Sequence, residues 1–262
     1  GPGQSQAVFE ITLKIYRDCL NGQADYDDPL TLGVYNASQQ LEQSVDFTLL
    51  QRVNVSPVQV SNCPKNPNVC MEEGTYRKSI IVSANQAYHL LYQRCCRNIQ
   101  NNLTDDMGQS YYCYIPAATQ YPDNSPVILG VPAPYVCAGD TVTYSNAASD
   151  ADGDSLVYSI EQPWTGGNRV DPKPPPGGSI SLPLPVANYK FGYSNAVPFG
   201  SGGILNINPQ TGLTTLLAPS VGQYSFAVVV KSYRKVNGVW VYVTEIRRDL
   251  QLIVITCGQN IK

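Results

Sequence analysis

The chain holds one histidine, two methionines and two tryptophans, and only 14% of its 262 residues are charged. Each shortage removes a class of function. A lone histidine, His89, provides no multi-histidine metal centre. No Gly-x-Ser-x-Gly elbow, phosphate-cradling glycine loop or partner motif near His89 completes a catalytic constellation. The chain therefore reads as a non-enzyme, with His89 a packed or edge residue of a strand. A net charge of -3 without any lysine or arginine cluster gives no pull towards phosphate backbones, so no nucleic-acid partner is expected. No apolar run approaches the ~20 residues that span a bilayer, so no membrane insertion is expected either. Gly1-Pro2-Gly3 lacks the charged and apolar regions of an export signal, and the chain reads as a mature piece of a longer protein.

What is abundant points one way. Eighteen tyrosines, 21 glycines and 20 prolines fit short strands joined by turns, an all-β composition. The clearest strand is Val8 to Tyr16, where Phe9, Ile11, Leu13 and Ile15 alternate with Glu10, Thr12, Lys14 and Tyr16. Similar patterns recur at 30–35, in two strands within 45–60, and at 75–82, 87–93, 141–144, 221–230 and 249–256. Asn237-Gly238 supplies a hairpin turn. The length exceeds a typical domain of ~150 residues. A proline-rich passage from Asp123-Asn124-Ser125-Pro126 to Val131-Pro132-Ala133-Pro134 reads as a semi-rigid connector. The expected domains are therefore 4–124 and 125–258.

Eight cysteines without a Cys-x-x-Cys pair read as disulfides of an oxidising compartment. Cys63 and Cys70 bracket a turn-rich segment suited to a local bridge. Neighbouring cysteines seldom bond to one another, so Cys95 and Cys96 are expected to share Cys19 and Cys113 between them. Cys137 and Cys257 open and close the second domain, a closure worth about 4 kcal/mol in the chain-entropy model.

The most informative stretch is Asp150-Ala151-Asp152-Gly153-Asp154, which runs straight into the strand pattern Leu156 to Ile160. Alternate carboxylates in an extended chain converge, and their repulsion invites a hard cation; an all-oxygen set suits calcium. An EF-hand loop fits the spacing but fails on context, since Ser155 stands where the sharp-turn glycine belongs and no helix flanks the stretch. The same residues also make an ordinary solvated turn. A second acidic group, Asp25, Asp27 and Asp28, reads as a solvated loop. Arg17 with Asp18, and Arg248 with Asp249, read as ion pairs or turn bonds at strand ends. The irregular segment from Trp164 to Pro185 reads as a long surface loop, with Trp164 the candidate for stacking on a ligand.

Two resemblances follow from particular residues. Asp123-Asn124-Ser125-Pro126, Asp150 to Tyr158, Leu205-Asn206-Ile207-Asn208-Pro209-Gln210-Thr211-Gly212 and Gly222-Gln223-Tyr224 resemble the bacterial cadherin-like β-sandwich modules. The whole chain, through Leu13-Lys14-Ile15-Tyr16-Arg17-Asp18-Cys19, Cys95-Cys96-Arg97-Asn98 and Arg248-Asp249-Leu250-Gln251, resembles the N-terminal region of large Bacteroidota surface proteins. These include the gliding-motility adhesins exported by the type IX secretion system. The resemblance implies two tandem β-sandwiches, immunoglobulin-like or cadherin-like, in a secreted cell-surface adhesin. Calcium read from the carboxylate spacing is then expected near the junction, with Asp123 and Asn124 joining Asp150, Asp152 and Asp154. The implied partners are surface glycans or cell-envelope proteins.

Overall fold

A computed structural model describes residues 5–20, 22, 24–55, 70–132 and 135–257. Every regular element among them is a strand. The first half holds β1 (Gln6–Asp18), β2 (Leu30–Asn36), β3 (Leu41–Phe47), β4 (Leu49–Val55), β5 (Met71–Ser83), β6 (Tyr88–Arg94) and β7 (Gln109–Ile115). Short strands β8 (Val127–Ile128), β9 (Tyr135–Cys137), β10 (Thr141–Ser145) and β11 (Ala148–Ser149) precede β12 (Ser155–Glu161). The chain closes with β13 (Ile204–Ile207), β14 (Leu213–Leu217), β15 (Gly222–Val236) and β16 (Val239–Ile255).

Local sequence explains these elements. In β1 exposure alternates with period two, and Phe9, Ile11, Leu13 and Ile15 turn inward. In β15 every residue from Tyr224 to Val230 is buried, because the strand is covered on both faces and its apolar run does not alternate. Asn237 and Gly238 both take positive φ between β15 and β16, the turn that Asn-Gly tolerates best.

Four sheets result. One has the order β1-β5-β4, one β10-β14-β13, and β8 pairs with β11 in a ribbon. The fourth is eight-stranded, β12-β15-β16-β7-β6-β2-β3, with β9 added in parallel on β16. The boundary expected near 124 does not interrupt it, since Glu245 and Ile246 of β16 stand opposite Tyr114 and Cys113 of β7. Part of the expected connector is strand β8; Ala133 and Pro134 lie outside the described residues.

Two large cores follow this layout. One, around Tyr76, Tyr88, Val34 and Phe47, packs β1 and β5 against β2, β3, β6 and β7. The other, around Tyr224, Phe226, Leu216 and Leu252, packs β10 and β14 against β12, β15 and β16. A smaller cluster of Tyr35, Leu91, Trp164 and Leu184 covers another part of the large sheet. This last cluster anchors the expected surface loop, which is mostly exposed but buries Trp164 and Leu184. The segment folds back on itself through Thr165 N–H to Pro185 O (2.8 Å) and Ala187 N–H to Pro163 O (2.8 Å). It is tied to the first half by Ile180 N–H to Gln39 O (3.0 Å) and Cys95 N–H to Pro172 O (2.9 Å). Trp164 and Leu184 are the side chains it buries, with Ile180 and Leu182 partly covered beside them.

The disulfides also differ from expectation. Cys70 bonds Cys19, not Cys63, which lies outside the described residues. The reason is register: β1 and β5 pair Asp18 with Met71, so Cys19 and Cys70 are the next residues out, with Cα atoms 5.1 Å apart. Cys95 and Cys96 bond each other across a cis peptide instead of tying two elements. Cys113 has no disulfide among the described residues, and burial pushes its thiol up to about 12. Cys137 does bond Cys257, in agreement with the expectation.

One buried ion pair joins the halves. The guanidinium of Arg97 grips both oxygens of Asp249, with the side chains 3% and 8% exposed. The same guanidinium donates to Trp164 O (2.9 Å) and Gly108 O (3.1 Å). Removing one partner strands a buried charge. Arg97→Ala is therefore expected to cost about 3–5 kcal/mol in denaturant unfolding, and an Arg97→Met/Asp249→Leu pair is expected to cost less than either single change. Peptide mapping without reduction is expected to recover Cys19 joined to Cys70 and Cys137 joined to Cys257.

Candidate cation site

The loop 150–154 is shaped by its own first carboxylate. Asp150 Oδ1 accepts the amides of Asp152 (2.9 Å) and Asp154 (3.2 Å), and Gly153 takes a φ of 77° to let the chain turn. The segment after β7 meets this loop. Asn124 donates to Asp152 Oδ2 through its backbone N–H (2.6 Å) and through Nδ2 (3.2 Å). Asp123, Asn124, Asp150, Asp152 and Asp154 thus gather in one place.

A residue that sequence reasoning missed stands among them. β12 pairs with β15 so that Ser155 lies opposite Tyr233, which makes Asp154 and Arg234 the next pair along. Arg234 donates through Nε and Nη2 to the two oxygens of Asp154 (2.7 and 2.8 Å), through Nη2 to Asp123 Oδ1 (3.0 Å) and through Nη1 to Pro122 O (2.9 Å). Its Nη2 is 3.9 Å from Asp152 Oδ2. No local signal marked Arg234, because an arginine inside an alternating strand looks like any solvated residue. Only the register of two strands eighty positions apart brings it here.

Asp154 is therefore a guanidinium partner with both oxygens used, which corrects its place among the cation ligands. Among the described residues no set of three or more acidic, histidine or cysteine side chains converges as a ready metal cage. Three carboxylates nevertheless face one guanidinium, and a fourth, that of Asp150, keeps Oδ2 buried without a hydrogen-bond partner. That set is all oxygen, and the guanidinium of Arg234 is the positive charge that the described residues bring to it. Asp123 registers the imbalance: burial pushes its carboxyl up to about 7 against the pull of Arg234, and Asp150, Asp152 and Asp154 push the same way.

The other singled-out residues lie elsewhere. Trp164 is buried, under the guanidinium of Arg247 at 3.8 Å and against the edge of Tyr112, so it presents no open platform for a ligand. Asp27 is not solvated but buried, with Arg94 Nε at 2.9 Å, Lys173 Nζ at 2.5 Å and Tyr92 O–H donating at 2.6 Å. Asp25 pairs with Arg17 and Arg52, and Asp28 accepts the amide of Leu49 (3.1 Å). Arg248 does not pair with Asp249. It reaches Gly130 O (2.8 Å) and lies 5.8 Å from the Tyr16 ring, and burial lowers its pKa. His89 Nδ1 meets Tyr112 Oη at 2.8 Å, and burial lowers its pKa too.

No protein-family model, curated protein or solved structure matches the chain.

The raised pKa of Asp123 has a definite sign. The folded chain keeps this proton to about pH 7, whereas the unfolded chain releases it near the ordinary 3.8, so between those values the folded state binds more protons. In chelator, stability is expected to fall as pH rises through that window, and Asp123→Asn to remove that part of the slope. Urea midpoints measured from pH 4 to 8 check this.

Proposed function

We propose that this chain is a non-catalytic module of a secreted cell-surface adhesin, serving attachment or gliding as a stiff, disulfide-tied spacer with a cation bound at its junction. The reading takes the two cores as two β-sandwich units, immunoglobulin-like or cadherin-like, and export by the type IX route from the resemblance to Bacteroidota surface proteins. The observation that carries it is the acidic cluster, where the segment after β7, the loop before β12 and β15 of the second half meet at Arg234.

The cation supplies positive charge that Arg234 alone does not. Asp150 and Asp152 hold it, Asn124 keeps Asp152 in place, and Arg234 neutralises Asp154 and fixes the loop against β15. A cation that binds only the folded arrangement stabilises it in proportion to RT ln(1 + [L]/Kd), about 2.7 kcal/mol at a hundredfold excess over Kd. Stiffness at the junction follows, because opening it would separate the ligands.

The rival reading, glycan binding, moves from Trp164 to Trp240. This ring stands exposed beside the β15–β16 turn with Lys235 Nζ 5.7 Å from its centre. A glycan array with Trp240→Ala as control separates the two readings. A docking surface for a cell-envelope protein would appear as specific capture from envelope extracts.

Calcium is expected to raise the melting temperature and chelator to lower it, and Asp150→Asn/Asp152→Asn to abolish the difference. Calorimetry with calcium and EDTA checks this; identical melting in both would remove the cation from the proposal. Antibody against the chain is expected to label intact cells of the producing bacterium, and labelling only after permeabilisation would remove the surface role.

A further inference from the structure

β1 is the outer strand of its sheet. β5 pairs with it along its whole length, and no strand takes its other edge among the described residues. Sheet edges are usually protected by shortness, proline, bulges or inward charges, since a row of open N–H and C=O groups invites another strand. β1 is neither short nor broken by proline or a bulge; its one charge on the core side, Arg17, sits near its end over Tyr26, and its exposed charges, Glu10 and Lys14, are opposite in sign. It runs thirteen residues, without proline and without a register shift, whereas the outer strands β3 and β4 each carry a shift against their neighbours. On its core side Phe9, Ile11, Leu13 and Ile15 pack against the first core yet stay only partly buried. On its outer side Glu10 and Lys14 are 63% and 52% exposed.

The order of these residues is self-complementary. We propose that the edge of β1 that no described strand takes pairs antiparallel with the same edge of a second copy of this chain, in a register centred on Thr12. In that register Glu10 of each copy stands opposite Lys14 of the other. Thr12 faces Thr12, Phe9 faces Ile15, and Ile11 faces Leu13. Each contact occurs twice about a twofold axis, as an isologous interface requires. Centring on Ile11 or Leu13 separates the charges, and centring on Glu10 or Lys14 sets like charges opposite. The Thr12 register alone among these satisfies both charged pairs, and cross-strand pairs of this kind are what fix sheet register. The apolar row on the core side continues across the junction and finishes the burial of Phe9 to Ile15. The product is one continuous sheet, β4-β5-β1 joined to its symmetry mate. This inference stands apart from the cation and from the adhesive role.

Sedimentation velocity over a concentration series tests it. The chain is expected to show a monomer–dimer equilibrium. Lys14→Glu, which sets carboxylates opposite each other twice, is expected to weaken the dimer about tenfold. The double variant Glu10→Lys/Lys14→Glu is expected to restore it. That restoration is specific, because the double variant leaves the within-chain pairs Lys14–Glu73 (2.9 Å) and Glu10–Arg77 (3.8 Å) broken, so only contacts between copies are regained. Amide exchange on the unmodified chain gives a reading that needs no variant: β1 amides are expected to slow as concentration rises. A chain that stays monomeric with β1 exchange independent of concentration overturns the proposal. So does a dimer unmoved by Lys14→Glu, or one that the double variant does not restore.

Discussion

Strand β16 is seventeen residues long, and the rest of the molecule is arranged by what its backbone and two faces must satisfy. Its hydrogen-bonding groups are shared among β15 over most of its length, β7 at Glu245 and Ile246, and β9 near its end. Because a strand sends alternate side chains to opposite faces, Arg247 and Asp249 leave on one side and Arg248 on the other. Arg247 lies over Trp164 and reaches Glu161 (2.6 Å), while Asp249 takes Arg97. Arg248 reaches Gly130 on the opposite side. Three consecutive residues thereby bind the folded-back segment, the Cys95-Cys96-Arg97 turn and the stretch after β7 to one strand.

A chain with so few charges places many of them inside. Asp27, Asp249, Asp123 and Asp154 all have nearly inaccessible side chains, and each has an arginine partner. Buried pairs of this kind add little net stability over apolar replacements, but breaking one is costly. Two of them, Arg97–Asp249 and Arg234–Asp123, cross between the halves, so separating the halves there would break them. The acidic cluster differs from the other sites in its balance. Arg97 faces one carboxylate, whereas Arg234 faces several, and the buried Asp150 Oδ2 has no donor.

The covalent framework follows the same geometry. Cys19–Cys70 locks the end of the β1–β5 ladder, and Cys137–Cys257 joins two strands that already run side by side, β9 and the end of β16. Each bridge holds a pairing that hydrogen bonds have made, which is why cysteine spacing alone paired Cys70 with the wrong partner.

Local pattern was enough to read the strands. Period-two alternation in β1, the mostly apolar run of β15, the Asn237-Gly238 turn and the tight turn at Asp150 depend on neighbours within a few residues. Each of these was visible without a structure. The Cys137–Cys257 bridge was also legible, from its place at the ends of the second half. What the tertiary structure alone decided involves partners far apart in the chain: Arg234 between Asp154 and Asp123, Arg97 on Asp249, Lys173 on Asp27, and the burial of Trp164. The physical reason is that side-chain period fixes which face a residue takes, but strand register fixes what it meets there. Register is settled only when the whole sheet has assembled.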